Sequence, residues 1–267
     1  MQTREWKRIL IPYQQAVEEL KVKFKSIRRE YRKRNDISPI EFVTGRVKEI
    51  SSILEKAKKF DIPLNRIEYE LEDIAGIRIM CQFVNDIYKV VEIIRNRKDM
   101  QIMYEKDYIF NVKESGYRSY HMIIKYPVYT AFGEQYILAE LQIRTLAMNF
   151  WATIEHSLNY KYKQGIPVEI QSRLKAAADA AFTLDQLVLD IKDEIMDAQK
   201  LFEVKSSLVT DITNHILTLI SLGRMKEATG FQSDLEAIIS DGDILELATL
   251  KEKIENAVVL YRGKAFN

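Results

Sequence analysis

Between residues 76 and 143 the chain carries four short apolar segments of strand character, and helical periodicity fills the sequence on either side of them. The segments are residues 76–84 (GIRIMCQFV), 102–109, 119–126 and 136–143, each of strand length and bounded by turn residues. Residues 86–97 (DIYKVVEIIRNR) have a helical pattern between the first two, and Ala131-Phe132-Gly133-Glu134 reads as a hairpin turn. Such a chain is expected to be α+β, with a mixed central sheet of four to five strands and helices on its faces and at both ends.

The flanks are helical for a definite reason. Tyr13, Val17, Leu20, Phe24, Ile27 and Tyr31 alternate at spacings of four and three, which places them on one stripe. Lys21, Lys25, Arg28 and Arg32 follow the same spacing displaced by one residue. Ser38-Pro39-Ile40-Glu41 has the composition of a helix start, and the sequence predicts a second helix from there to about Phe60, stopping near Pro63. Residues 146–160 are helical again, punctuated by Gly165 and Pro167. A long stripe then runs through Ile170, Leu174, Ala177, Ala181, Leu184, Val188, Ile191, Ile195, Ala198 and Phe202. A helix with so long an apolar face is expected to pack on another helix or another subunit, and with the stripe from Tyr13 to Tyr31 it predicts a symmetric homo-oligomer. The remainder predicts two or three shorter helices, divided near Gly230 and at Ser240-Asp241-Gly242-Asp243.

Four constellations could carry chemistry. In the predicted second helix Lys48, Ser52 and Lys56 fall at i, i+4 and i+8, a row that suits a polyphosphate or is simply a solvated face. In Glu72-Asp73-Ile74-Ala75-Gly76-Ile77-Arg78 a carboxylate precedes a buried strand at a glycine turn. Asp73 could hold Mg²⁺ there or be an ordinary turn residue. Arg78 enters an apolar run, which is costly unless it meets an anion, a π-face or water at a sheet edge. In Lys113-Glu114-Ser115-Gly116-Tyr117-Arg118-Ser119-Tyr120-His121 a glycine turn presents Tyr117 among basic neighbours, a possible base-stacking platform or a plain loop. Strand alternation puts Glu140, Gln142 and Arg144 on one face, opposite Leu141 and Ile143. Three polar groups on one face of a central strand are costly unless that face lines a site. Asp73 and Glu140 together could form the carboxylate pair that nucleotide-transfer chemistry needs.

The segments FVTGRVK, EDIAGIRIMCQF, KESGYRSYHMII and AELQIRTLAMNFWATIEHSLNYKYK, in this order, resemble the Rel/Spo family of (p)ppGpp synthetases, in particular its small single-domain RelQ-like branch. The resemblance covers about residues 1–200. It implies a nucleotidyltransferase-like synthetase fold over residues 1–203, with residues 204–267 a helical extension of unknown role. It implies a Mg²⁺-dependent GTP pyrophosphokinase that moves the β,γ-diphosphate of ATP to the ribose 3′-OH of GDP or GTP in the stringent response. Arg46 and Arg78 would sandwich adenine, and Lys48, Ser52 and Lys56 would hold the phosphates. Asp73 and Glu140 would bind the metal, with Glu140 also acting on the acceptor hydroxyl. Tyr117 would stack on guanine, and Lys113, His121 and Gln142 would seat the rest of the acceptor. The resemblance further implies a homotetramer. In it Lys21, Lys25, Arg28, Glu41, Phe42, Thr44 and Asn149 line an intersubunit cleft that binds pppGpp as an activator, where single-stranded RNA competes.

Other classes fit less of the sequence. A template-independent nucleotidyltransferase would show a Gly-Ser turn followed by two closely spaced aspartates, which are absent. An RNA-binding regulator would leave Asp73, Glu140 and Gln142 unexplained. Alarmone hydrolysis needs a His-Asp metal site, yet none of His121, His156 and His215 is followed by Asp, so no hydrolase activity is expected. Lys and Arg total 40 against 39 acidic residues, so any anion affinity must be local. The single cysteine, Cys81, excludes an intrachain disulfide and suits a reducing cytoplasm. The first ten residues lack a signal-peptide core, and no run reaches the ~18 apolar residues of a membrane span.

Overall fold

The computed structural model describes residues 3–161, 167–241 and 243–265. Helix α1 (Thr3–Lys33) leads into β1 (Phe42–Val47), α2 (Ile50–Lys59), a 3-10 turn (Leu64–Arg66) and the single turn α3 (Ile67–Glu70). Then come β2 (Ala75–Cys81), α4 (Val84–Arg95), β3 (Gln101–Asp107), β4 (Tyr120–Thr130) and β5 (Gly133–Thr145). Among the described residues four helices follow: α5 (Leu146–Lys161), α6 (Val168–Ser221), α7 (Met225–Asp241) and α8 (Ile244–Ala265). The chain divides into two compact units, Met1–Leu189 and Asp190–Asn267.

The first unit is built on a five-stranded sheet in the order β1-β2-β5-β4-β3. Only the β2–β5 pair is parallel; the others are antiparallel, so the sheet is mixed as expected. Ile77, Ile79, Met122, Ile124, Leu141 and Ile143 are fully buried in its core. Helix α1 packs against β1, β2 and β4. Gly45 shows how close that approach is. A Cβ there would lie 2.7 Å from Ile77 Cδ1 and 3.0 Å from Val17 Cγ1, so glycine lets β1 pass close beneath α1 without displacing these buried side chains. With Gly45 turned to α1, alternation sends Thr44 and Arg46 to the opposite face.

Three expectations are corrected. The helix expected to begin at Ser38 does not: residues 42–47 form β1, paired antiparallel to Ala75–Met80 of β2, and helix begins only at Ile50. Ser38 instead closes a local turn, its Oγ accepting from the Ile40 amide at 3.1 Å. Pairing with β2 satisfies a whole row of backbone groups, which outweighs one capping bond. The stripe of α1 expected at a subunit interface lies inside this chain: Tyr13, Val17, Leu20, Phe24 and Ile27 are all buried in its own core. Each such side chain contributes on the order of 1.5–3 kcal/mol to folding. Finally, Gly230 lies within α7 rather than between helices, and the chain breaks instead at Gly223, where φ is +72°. Of the other expected breaks, Gly165 and Gly242 lie outside the described residues, and Pro167 immediately precedes α6.

The second unit comprises the end of α6 with α7 and α8. Ile212, Ile216 and Leu219 of α6 share a core with Leu235 of α7 and Leu247, Leu250, Ile254 and Val258 of α8. Among the described residues, no helix is long and apolar enough to cross a membrane.

Candidate active site

The strand registers assemble the site. Arg46 stands opposite Gly76 and Thr44 opposite Arg78; Gly76 in turn faces Glu140, and Arg78 faces Gln142. On the other side of β5, His121 is paired with Gln142. Residues directly opposite in adjacent strands share a face. Arg46, Arg78, Glu140, Gln142 and His121 therefore project together from four neighbouring strands. Arg78 lies in an interior strand, not at an edge.

Two cavities open on this face. One, of about 240 Å³, is lined by Thr44, Gly45, Arg46, Lys48, Asp73, Gly76, Arg78, Glu140 and Gln142. The other, of about 530 Å³, shares Arg46, Lys48, Asp73, Arg78 and Gln142, and adds Lys113, Ser115, Tyr117, Arg144 and residues of α5 including Thr153, Glu155 and His156. The two are thus contiguous, with Asp73 and Gln142 at their junction.

Lys48 and Lys56 meet on one carboxylate oxygen. Their Nζ atoms lie 2.6 and 2.9 Å from Asp73 Oδ2. The geometry differs from the expected helical row: Lys48 precedes α2, held by its amide to Ile74 O at 2.8 Å, and only Ser52 and Lys56 are helical. Ser52 is half-buried one turn before Lys56 and lines neither cavity. Burial alone would raise the Asp73 carboxyl, but the hydrogen bonds and charges of the two lysines outweigh it and hold it below its ordinary value. Asp73 Oδ1 is buried and has no hydrogen-bond partner among the described residues.

Glu140 is held by both oxygens. Gln142 Nε2 donates to Oε2 at 2.8 Å, and His121 Nδ1 lies 2.8 Å from Oε1. Burial pushes this carboxyl up, and the hydrogen bonds from His121 and Gln142 bring it below the usual range. Gln142 Oε1 accepts from Arg144 Nη2 at 2.7 Å and from Arg78 Nε at 3.3 Å, which fixes the amide's orientation. His121 Nε2 is 2.7 Å from the Tyr117 hydroxyl, which also accepts from Arg144 Nη2 at 2.6 Å. Burial lowers Arg78 below its ordinary value, helped by the nearby charges of Arg144 and Arg46. Lys113 sits over the rings of Tyr108 (4.3 Å) and Tyr117 (4.9 Å).

Sequence reasoning assigned no role to Arg144, Tyr108, Glu155 or His156. Arg144 was legible as part of the polar face of its strand; it is 4% exposed and knits Gln142, Tyr117 and Ser119 together. Tyr108 is a loop tyrosine without a pattern to mark it, and Glu155 and His156 look like surface positions of α5.

The residues expected to bind a regulator lie elsewhere. Lys21 pairs with Glu18 at 2.9 Å, and Lys25 is exposed. Arg28 donates to Glu41 at 2.8 Å, whose other oxygen accepts from Gln82 at 2.9 Å. Phe42 is 40% exposed. Thr44 alone of this set reaches the smaller cavity, and Asn149 stands on α5 with Oδ1 buried and without a partner among the described residues.

The mixed sheet gathers two carboxylates and several cations beside an aromatic loop, a donor set of the kind that suits a nucleotide and its phosphates. Residues 45–165 match the family model described as the region found in RelA/SpoT proteins. The GTP pyrophosphokinase YjbM of Bacillus subtilis (strain 168) is 56% identical over 205 residues, 77% of this chain and 97% of that protein. The crystal structure of small alarmone synthetase 1 from Bacillus subtilis bound to its product pppGpp is similar with a TM-score of 0.69 and 57% identity, covering 72% of this chain and 98% of that one. The same synthetase bound to AMPCPP gives a TM-score of 0.64 and 52% identity over the same shares. The chain belongs to the RelA/SpoT family, among its small alarmone synthetases.

Proposed function

We propose that this chain is a cytoplasmic GTP pyrophosphokinase that transfers the β,γ-diphosphate of ATP to the ribose 3′-OH of GDP or GTP, without hydrolase activity. The observation that carries this reading is the pair Asp73 and Glu140, which line one cavity with Arg46, Lys48 and Arg78 around them. The acceptor 3′-oxygen forms a bond to the β-phosphorus of ATP, the bond from that phosphorus to the α,β-bridging oxygen breaks, and AMP leaves. Glu140, ionised and fixed by His121 and Gln142, orients the acceptor hydroxyl and takes its proton. Lys48 and Lys56 leave Asp73 for the phosphates of ATP, and Arg46 and Arg78 flank adenine. Tyr117 supplies a ring for guanine, with Lys113 beside it for phosphate.

The donors fit Mg²⁺. Two carboxylates suit a hard cation that keeps waters and phosphate oxygens in its shell, and Asp73 Oδ1, without a partner among the described residues, is an available ligand atom. Asp73 and Glu140 would hold the ion, which when bound offsets the negative charge of the phosphates. Glu140→Gln tests the reading: it should cut product formation by more than about 10²-fold while ATP affinity is retained. Near wild-type turnover would refute the assignment.

We further propose assembly into a homo-oligomer, a tetramer by resemblance. Leu184, Val188, Ile191 and Ile195 of α6 are 55, 41, 54 and 52% exposed in the single chain, which supports α6, rather than the buried stripe of α1, as the apolar part of the interface. A monomer by light scattering at micromolar concentration would exclude it. The cleft carrying Lys21, Lys25, Arg28, Glu41, Phe42, Thr44 and Asn149 would bind pppGpp as an activator, or single-stranded RNA.

A further inference from the structure

The loop that presents Lys113 and Tyr117 runs from β3 to β4. Its two ends are tied to each other, with the Tyr108 amide donating to Ser119 O at 3.0 Å and a turn closed by the Gly116 amide on Lys113 O at 2.8 Å. What supports its tip is α6. Gly116 has φ +85°, and a Cβ there would lie 2.6 Å from Ala178 Cβ, so the loop backbone rests directly on the helix. Arg118 does the rest. In the sequence it reads as one more basic neighbour of Tyr117, a natural phosphate ligand, yet it lines neither cavity. Its side chain, 12% exposed, turns to α6: Nη2 lies 3.0 Å from Asp179 Oδ1, and the guanidinium stacks 4.4 Å from the Phe182 ring centroid. Nη1 donates to the loop's own Gly116 O at 3.1 Å and to Ala178 O of the helix at 3.5 Å. One planar cation thus bonds the loop and its bed at once, a geometry that lysine cannot reproduce.

We propose that Arg118 is a positioning residue: it clamps the 113–118 loop to α6 and so sets the affinity for the guanine nucleotide without touching it. The proposal rests on the reading of Lys113 and Tyr117 as acceptor ligands. Loosening the clamp leaves the ATP side and the bonds of His121 and Gln142 to Glu140 in place, because none of those residues stands on this loop; of the groups around Glu140 only the Tyr117 hydroxyl, which meets His121 Nε2, comes from it. The acceptor side alone then weakens, since part of its binding energy is spent on ordering the loop.

The test uses the full chain with Arg118→Ala and, as a milder change on the exposed side of α6, Asp179→Asn. Hydrogen–deuterium exchange without nucleotide is read over residues 111–119, alongside initial rates with GDP and ATP. Arg118→Ala should speed exchange in that segment and not in β5, and raise KM for GDP about tenfold, the order for one charge-assisted contact. KM for ATP and kcat should stay within about twofold. Asp179→Asn should act in the same direction, less strongly, and it decides the matter if Arg118→Ala does not fold. Unchanged exchange over 111–119 overturns the clamp whatever the reaction is. Faster exchange with unchanged KM for GDP, or an equal rise for both substrates, overturns the positioning role. If the wild-type chain makes no 3′-diphosphorylated product, the catalytic reading falls, and equilibrium dialysis of GDP against wild type and Arg118→Ala then decides the positioning role in place of KM.

Discussion

Lys48 Nζ lies 2.6 Å from Asp73 Oδ2, joining the residue that follows β1 to the carboxylate two positions before β2. Lys56 reaches the same oxygen from α2 at 2.9 Å. Two lysines share one carboxylate oxygen, and its other oxygen has no partner among the described residues; on the reading proposed above, the lysines serve the phosphates and that oxygen a metal. Asp73→Asn should therefore lower transfer by more than about 10²-fold. Thermal unfolding beside an activity assay checks this: a folded but inactive variant is expected, and a folded variant of near wild-type activity would remove Asp73 from the site.

On the proposed reading Tyr117 combines a stacking ring and a hydrogen-bonding hydroxyl, which substitution can separate. Tyr117→Ala should raise KM for GDP or GTP by about 5- to 150-fold, the equivalent of ~1–3 kcal/mol of lost stacking, with KM for ATP little changed. Tyr117→Phe keeps the ring and loses only the hydroxyl that Arg144 and His121 contact. Its effect should be smaller. Substrate-by-substrate kinetics decide this, and equal effects on both nucleotides would refute a dedicated guanine platform.

Asp185 gives the first unit a pH dependence. It is 7% exposed, accepts one hydrogen bond from Thr145 Oγ1 at 2.6 Å, and burial pushes it up to about 6. Thr145 Oγ1 in turn accepts from the Met148 amide in the first turn of α5. Because the folded state holds this proton more tightly than the unfolded chain, the stabilisation is complete below about pH 4 and is lost as pH rises through about 6. The loss is on the order of 2–3 kcal/mol. Asp185→Asn, which cannot ionise, should raise Tm at pH 8 and leave it nearly unchanged at pH 4.5. No difference between wild type and variant across that range would contradict the assignment.

The sequence made the sheet visible because its strands are apolar runs with clear turns, and the site visible because Glu140, Gln142 and Arg144 alternate with Leu141 and Ile143. β1 was hidden. Its fate depends on pairing with β2, thirty residues away, whereas the Ser38-Pro39-Ile40-Glu41 pattern is local and points to helix. The stripe of α1 was visible, but periodicity says only that a face is buried, not against which chain. Arg118 was hidden for a similar reason: sequence shows a charge beside Tyr117, not the direction in which the side chain turns.

The cationic row on α1 bears on regulation. If Lys25 and Arg28 bind a regulatory pppGpp, the double change Lys25→Ala, Arg28→Ala should keep the unstimulated rate within about threefold and abolish stimulation by added pppGpp. Arg28→Ala also frees Glu41, which it holds at 2.8 Å, so Glu41→Gln is the control for that ion pair. Undiminished stimulation in the double variant would move the regulatory site elsewhere.

Diphosphate transfer is tested by following the label. The chain is incubated with Mg²⁺, GDP or GTP, and ATP labelled at the β-phosphate or, separately, at the γ-phosphate, and the products are separated. Both labels should appear in a guanine nucleotide carrying a 3′-diphosphate, with unlabelled AMP formed in equal amount. Label found only in inorganic phosphate or ADP, with the guanine nucleotide unchanged, would rule out diphosphate transfer by this chain.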